Sequence, residues 1–547
     1  MTAPTVPGER FVAQPFVCGA FGEDEDHLFD RLLASSPAPV TMLHDSRDIR
    51  FAASRSDGLE TVPDGWVWGR YVARNTRPRT AQHASEDIGL AGFWVDSNSK
   101  GATLHTDWLG TQDIFTRAIG GTTFWANRMS PLIEFADVPV HADIMAWRTY
   151  FVLSGFSAGS TPMVEISRLD AGQRLDHVAG ETRLSTRLPR WFTDPSGTAT
   201  VNDLAAAIVA AVPQPAARSV DLTLSGGLDS RLLLAALLTP NALPVSWSTH
   251  HENGWDGDIR IAGEIARAIG IEHHVVDYQT EDWLAAREPT LVRLEHATCM
   301  HNWMMPLAQV LRNQHASSSL FDGLAGDVLM RYHDNVASSA SEQHAREVWS
   351  ALGARPFQDS RVLRQSIRDE WEAEAFADWR ARSRSWDDHP YAETVMRLLT
   401  RTRRAIAVSP FRLFSPERRV LTPFIDPEVV RTVCAVPPLP RQNRDLRPAV
   451  LRILNPVLAD IDSTVNPHRS QVVFTERGPT SAAAARSMSQ SIVAEPAVAR
   501  LFDMRRIESL ATNSDGDRLP RAVRNGAALA HWISHWRGRL AELPRFD

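Results

Sequence analysis

Lysine is almost absent: the 547-residue chain has one, Lys100, against 57 arginines. Arginine stays protonated and cannot serve as a base, so no lysine-based step is available unless Lys100 supplies it. The Gly-Lys-Ser/Thr of a Walker loop is excluded, because the one lysine follows Ser99. Cysteine is also scarce, and Cys18, Cys299 and Cys434 cannot build a disulfide framework. Long apolar runs are missing; stretches such as Leu204–Val212 are far too short to span a bilayer. The first thirty residues lack a charged start followed by an apolar core, so no secretory signal is expected. A cytoplasmic protein without a membrane partner is the expectation. Basic charge is not in excess either: the net charge is −7, which argues against a nucleic-acid partner. What is present is ordinary for a soluble globular protein, 43% apolar and 22% charged residues, in a chain too long for one compact domain.

Two textures divide the chain. Residues 1–190 hold short strand-like runs, among them "WVWGRYVA", "GATLHTDWL" and "GGTTFWANR", separated by Gly, Asn and Asp. Trp191–Asp203, "WFTDPSGTATVND", reads as a linker. "VNDLAAAIVAAV" then has helical spacing, with Asn202 or Asp203 as its N-cap. Residues 220–277 read strand–helix–strand–helix–strand: Val220, Leu222 and Leu224 alternate, Leu228–Leu238 is helical, "PVSWSTH" is extended, Asp258–Ile269 is an amphipathic helix closed by Gly270, and "EHHVVD" is a third strand. Such alternation predicts a doubly wound parallel sheet. Residues 285–547 are mostly helical. Within them His301–Leu311, "HNWMMPLAQVL", is either a pocket wall or a core helix, and the adjacent histidines of "STHHEN" lack a spaced third ligand for a metal.

The turn after the first of these strands carries chemistry. Ser225-Gly226-Gly227-Leu228-Asp229-Ser230 sits at the C-terminal end of a strand and opens a helix, where ligands bind in open parallel sheets. The glycines permit close backbone approach, and helix N-terminal amides favour an anion. Ser225 and Ser230 add hydroxyls. Asp229 would repel a phosphate directly, so its expected task is to hold a magnesium ion that bridges phosphates.

"SGGLDS" after a strand resembles the pyrophosphate loop of the ATP pyrophosphatases, and the surroundings resemble the asparagine synthetase-like branch of that family. "DIRIAGEIARAIGIEHHVV" fits it with Asp258 and His273-His274. "LFDGLAGDVLM" is similar to its second loop, with Asp322, Gly323, Gly326 and Asp327, and "RRVLTPFIDPEVV" to its Pro-Phe-x-Asp segment, with Pro423, Phe424 and Asp426. The resemblance implies an α/β protein with two domains. Residues 1–192 would be an Ntn-like αββα sandwich, a degenerate class II glutaminase. Residues 193–547 would be a doubly wound parallel-sheet ATP pyrophosphatase domain with extensive helices. It also implies ATP and Mg2+ as cofactors. Leu224, Ser225, Gly226, Gly227, Asp229, Ser230, Asp322 and Gly323 would bind ATP or pyrophosphate, Asp229 and Asp327 would hold the metal, and Asp229, Asp327 and Arg447 would be catalytic.

The sequence also departs from the family. "VCGAFG" places Cys18 where the glutaminase nucleophile belongs, yet seventeen residues precede it, and the glutamine-binding "NGEIYN" has no counterpart. In the second loop, Leu324 or Ala325, and Val328, stand where the family has acids. The family's C-terminal lysine is replaced by Arg447 in "DLRPAVLR", and Arg469 lies where another basic residue is expected. The disabled-glutaminase pattern resembles the β-lactam synthetases and the lasso-peptide macrolactam synthetases. It implies an AMP-forming amide ligase or cyclase. The partners would be a small-molecule or peptide substrate bearing a carboxylate and an amine, with a precursor peptide and its processing proteins in the peptide case. Two other readings stand beside it: a nucleotide-binding homologue without catalysis, and a glutamine-hydrolysing asparagine synthetase processed at Cys18.

Overall fold

The computed structural model describes residues 15–55, 58–69, 80–81, 90–96, 101–212, 220–238, 243–251, 254–313, 319–331, 342–414, 420–439, 443–464, 478–512 and 519–546. Lys100 and Arg469 lie outside them. The strand-like runs form β1 (Val17–Phe21), β2 (Val40–Asp45), β3 (Ile49–Ser54), β4 (Leu59–Val62), β5 (Gly65–Trp68), β6 (Ala91–Asp96), β7 (Gly101–His105), β8 (Phe115–Ile119), β9 (Thr122–Ala126), β10 (Ile166–Arg168), β11 (Gln173–Val178) and β12 (Glu181–Thr186). They make two six-stranded antiparallel sheets, ordered β10-β8-β9-β1-β3-β2 and β12-β11-β7-β6-β5-β4. The facing sides share one core, in which Phe21, Phe51 and Trp125 of the first sheet meet Trp68, Phe93 and Leu104 of the second. The Phe51 and Phe93 rings stack with centroids 4.8 Å apart.

Helices Leu28–Ala34, Met129–Glu134 and Ile144–Leu153 cover the other side of the first sheet through Phe29, Leu132 and Trp147. The same core runs on into the C-terminal helices, where Trp147 meets Trp532 at 5.2 Å between centroids. The two stacked sheets with helices on the first agree with the expected sheet-rich N-terminal domain. The expected linker is more ordered than its composition suggests. Trp191 and Phe192 begin it in a short helix, Arg190–Thr193, and Phe192 is buried beside Trp108 and Trp386. Aromatic burial outweighs the turn-rich sequence that follows.

The next helix, Val201–Ala211, is capped by Thr200, two positions before Asn202 and three before Asp203, the expected caps. Asp203 sits at N3 and bonds back to the Thr200 amide, a reciprocal capping box. Beyond it lie β13 (Val220–Thr223), β14 (Val245–Thr249), β15 (His273–Val276), β16 (Ser319–Phe321) and β17 (Val420–Leu421). All pair in parallel, in the order β15-β14-β13-β16-β17. Helices Leu228–Leu237 and Gly257–Ile269 make the first two crossovers; the second ends at Gly270, φ 75°, as the sequence predicts. The chain leaves β13 in one direction and later returns to its other side with β16. That is a topological switch point, the place where open α/β sheets bind ligands. His301–Leu311 resolves as core: Met305, Leu307, Ala308 and Leu311 are buried in one apolar cluster. No described helix is long and apolar enough to cross a membrane.

Ion pairs join the sandwich to the helices. Arg412 donates to Asp113 through Nε (2.8 Å) and to Glu295 through Nη1 (2.6 Å). Glu295 accepts the Met129 and Ser130 amides at 2.6 and 3.1 Å, and Asp170 receives Arg403 and Arg404. Arg403 and Arg404 project from Leu398–Ile406, which winds as a π-helix.

Candidate active site

The two glycine-acid loops meet at the switch point. The Asp327 amide donates to Asp229 Oδ2 at 3.0 Å. Arg447 Nη1 donates to Asp229 Oδ1, also at 3.0 Å. Arg447 is itself aimed by Asp445, which accepts its Nε at 2.9 Å and its Nη2 at 2.7 Å. Glycine is required at this contact. A Cβ on Gly326 would lie 2.9 Å from the Asp229 carboxyl carbon and 3.0 Å from the Phe424 ring, and one on Gly323 3.2 Å from Asp229 Cβ. Gly326→Ala is therefore expected to destabilise the fold by about 1–3 kcal/mol through overpacking, read by urea unfolding.

Burial, and then the charge of Asp327, push the Asp229 carboxyl up to about 7, against the opposing pull of Arg447. Its side chain is 24% exposed. Two neighbouring carboxylates, one of them raised by burial and by the other's charge, supply hard oxygens that suit magnesium. The donor set therefore fits the metal that the resemblance implies.

The first loop is held internally. The Ser225 amide donates to Ser230 Oγ (3.1 Å), the Gly227 amide to Ser225 Oγ (3.2 Å) and the Gly226 amide to Asp258 Oδ1 (3.0 Å). This differs from the expectation that these amides face an anion; serine rotamers and the Asp258 carboxylate occupy them. The helix that starts at Leu228 has no side-chain cap, so its first-turn amides present the anion-favouring end. Leu224 contributes no free group. Its side chain is buried, its amide bonds Trp247 O at 2.9 Å, and its carbonyl accepts Ser248 Oγ. Asp322 shapes its own turn, accepting the Leu324 amide at 2.9 Å. Leu324 and Ala325 are buried, with Ala325 at φ 70°, so the acids that the family carries there would point into core. Asp426 caps the helix Pro427–Ala435, and His273 and His274 lie on β15, at the sheet edge.

Arg231 has no counterpart among the sequence-derived candidates. Its guanidinium is fully buried and donates to the carbonyls of Leu458 (3.1 Å), Ile461 (2.7 Å), Asp462 (2.8 Å) and Gly226 (3.2 Å). Thr464 closes the same seam, its amide to Gly226 O at 3.1 Å and its hydroxyl to Asp258 at 3.2 Å. The available signal was an arginine set on the buried face of a leucine-rich helix, where a charge needs partners. Arg231→Leu leaves four carbonyls short of donors and is expected to cost about 2–4 kcal/mol, read as a lowered melting temperature.

Cys18 lies inside β1, paired with Ala52 and Ala126, and its thiol is enclosed in the helix-side core. Burial pushes it far above the usual thiol range, opposite to what a nucleophile needs. A cavity nearby, bounded by Trp68, Gln112, Asn127, Arg128 and Arg412, holds only about 20 Å³. That is room for about one water. Neither this cavity nor the larger one described below is bounded by the two loops. No described group of three or more His, Cys, Asp or Glu is arranged to hold a metal, and two residues of "STHHEN", 252 and 253, lie outside the described residues.

Fold and site together define a class: a parallel-sheet protein with two glycine-acid loops apposed at its switch point. Residues 204–458 match the family model described as asparagine synthase, a stretch holding all five parallel strands, both loops and Arg447. This match supports an asparagine synthetase-like ligase that uses ATP. No curated protein matches the chain.

Proposed function

We propose that the protein is an AMP- and pyrophosphate-forming ligase that adenylates a substrate carboxylate and joins it to an amine on the same substrate, closing a lactam or macrolactam. The observation that carries this reading is the 3.0 Å bond from the Asp327 amide to Asp229, which brings both loops to one point. Magnesium, when bound, supplies charge neutralisation on the phosphates. Asp229 and Asp327 would hold it. The first-turn amides of Leu228–Leu237 would face the pyrophosphate, and Ser225 and Ser230 would turn their hydroxyls from their own loop toward it. Arg447 adds fixed positive charge beside Asp229 but cannot move a proton, so the attacking amine must lose its proton to another group. The buried Cys18 thiol argues against ammonia from glutamine as the nucleophile, which favours an amine already on the substrate.

The test is incubation of the full chain with ATP, magnesium and linear peptides or β-amino acids carrying both groups. The expected result is AMP and pyrophosphate in equal amounts, with product mass lower than substrate by one water. A product formed only when glutamine is hydrolysed would instead support an asparagine synthetase. A nucleotide-binding homologue without turnover is favoured by the internal capping of the Ser225, Gly226 and Gly227 amides. ATP bound without any AMP formed, across substrates of both kinds, would support that reading.

A further inference from the structure

The larger cavity lies between the sandwich and the helices and has a volume of about 170 Å³. Leu188 comes from the sandwich side; Trp379, Trp386, Met396 and Leu399 come from the helices. An apolar cavity of about 150 Å³ holds a benzene ring, so this one has room for one ring and a small substituent.

Its charged groups are already matched. Asp170 faces Arg403 and Arg404, and Arg382 pairs with Asp378 at 2.9 Å. A neutral guest therefore fits better than an ion. Neutral polar side chains also line it. Ser157, 4% exposed, lines the cavity. Gln173 accepts the Asp170 amide at 2.7 Å through Oε1 and lines the same space.

The cavity is separate from the loops. Met396 and Leu399 face it, while the neighbouring Val395 and Leu398 pack into the core that holds Leu329 and Met330, on the helix that begins beside Asp327.

We propose that this cavity is a binding site for a neutral, single-ring aromatic molecule carrying one hydrogen-bonding substituent, distinct from the nucleotide site. The proposal stands whether or not the chain is a ligase.

The test uses phenol and toluene as probes, titrated into the full chain with ligand-observed NMR. Phenol is expected to bind saturably and at least fivefold more tightly than toluene. Met396→Trp, which fills the space, is expected to weaken phenol at least tenfold. Ser157→Ala, a smaller change that keeps the fold if the tryptophan does not, is expected to bring phenol and toluene within twofold of each other. Absence of saturable phenol binding would overturn the proposal. So would phenol binding that neither substitution alters.

Discussion

Asp229→Asn is expected to lower pyrophosphate release from ATP by a hundredfold to a thousandfold, or roughly 3–4 kcal/mol of transition-state stabilisation. The asparagine is isosteric, so the loops stay together while the negative charge is lost. One oxygen can still accept the Asp327 amide, but the new NH2 group faces Arg447 where a carboxylate oxygen stood. Stability should hold or rise slightly, because the buried charge is held at a cost; burial and Asp327 raise its carboxyl to about 7. A melting temperature within about 2 °C of wild type, with activity lost, separates a chemical role from a structural one. A variant that keeps wild-type activity would remove Asp229 from the mechanism.

The largest stability effect is expected at Arg412→Leu. This arginine bridges Asp113, from the sandwich, and Glu295, from the helices, and all three side chains are nearly enclosed. Removing one partner leaves two buried carboxylates undercompensated, at a cost of about 3–5 kcal/mol. A fall of roughly 5–10 °C in the first thermal transition follows. The pH dependence has a definite sign. Burial raises both acids, but Arg168 and Arg412 at Asp113, and Arg128 and Arg412 at Glu295, outweigh it and hold both below the ordinary carboxylate range. Their contribution is complete above the unfolded carboxylate range, near pH 4, and is lost as pH falls through the folded values. The gap between wild type and variant should therefore be widest above about pH 5 and close in acid. A gap that widens in acid would contradict this account.

Much of the parallel-sheet part was legible because its signals are local. Val220 and Leu222 alternate within one strand, Gly270 ends a helix at a positive φ, and Ser225–Ser230 spans six consecutive residues. The apposition of the two loops was legible only through resemblance, since Asp229 and Asp327 lie 98 positions apart. The charged seam left no local trace. Arg412 and Asp113 are separated by 299 positions, and nothing near either one names its partner. The internal capping of the first loop was also hidden, because a serine or aspartate that satisfies an amide reads the same as one that waits for a ligand. Thr200 took the cap expected at Asn202 or Asp203 because Asp203 was needed at N3 to bond back. The strands β16 and β17, three and two residues long, are too short to register as alternation.

The most direct test of the central claim is a crystal structure of the full chain with a non-hydrolysable ATP analogue and magnesium. The account predicts the β- and γ-phosphates against the first turn of Leu228–Leu237, with a magnesium ion bound by both Asp229 and Asp327. Phosphates seated elsewhere, or a metal that touches neither carboxylate, would contradict it.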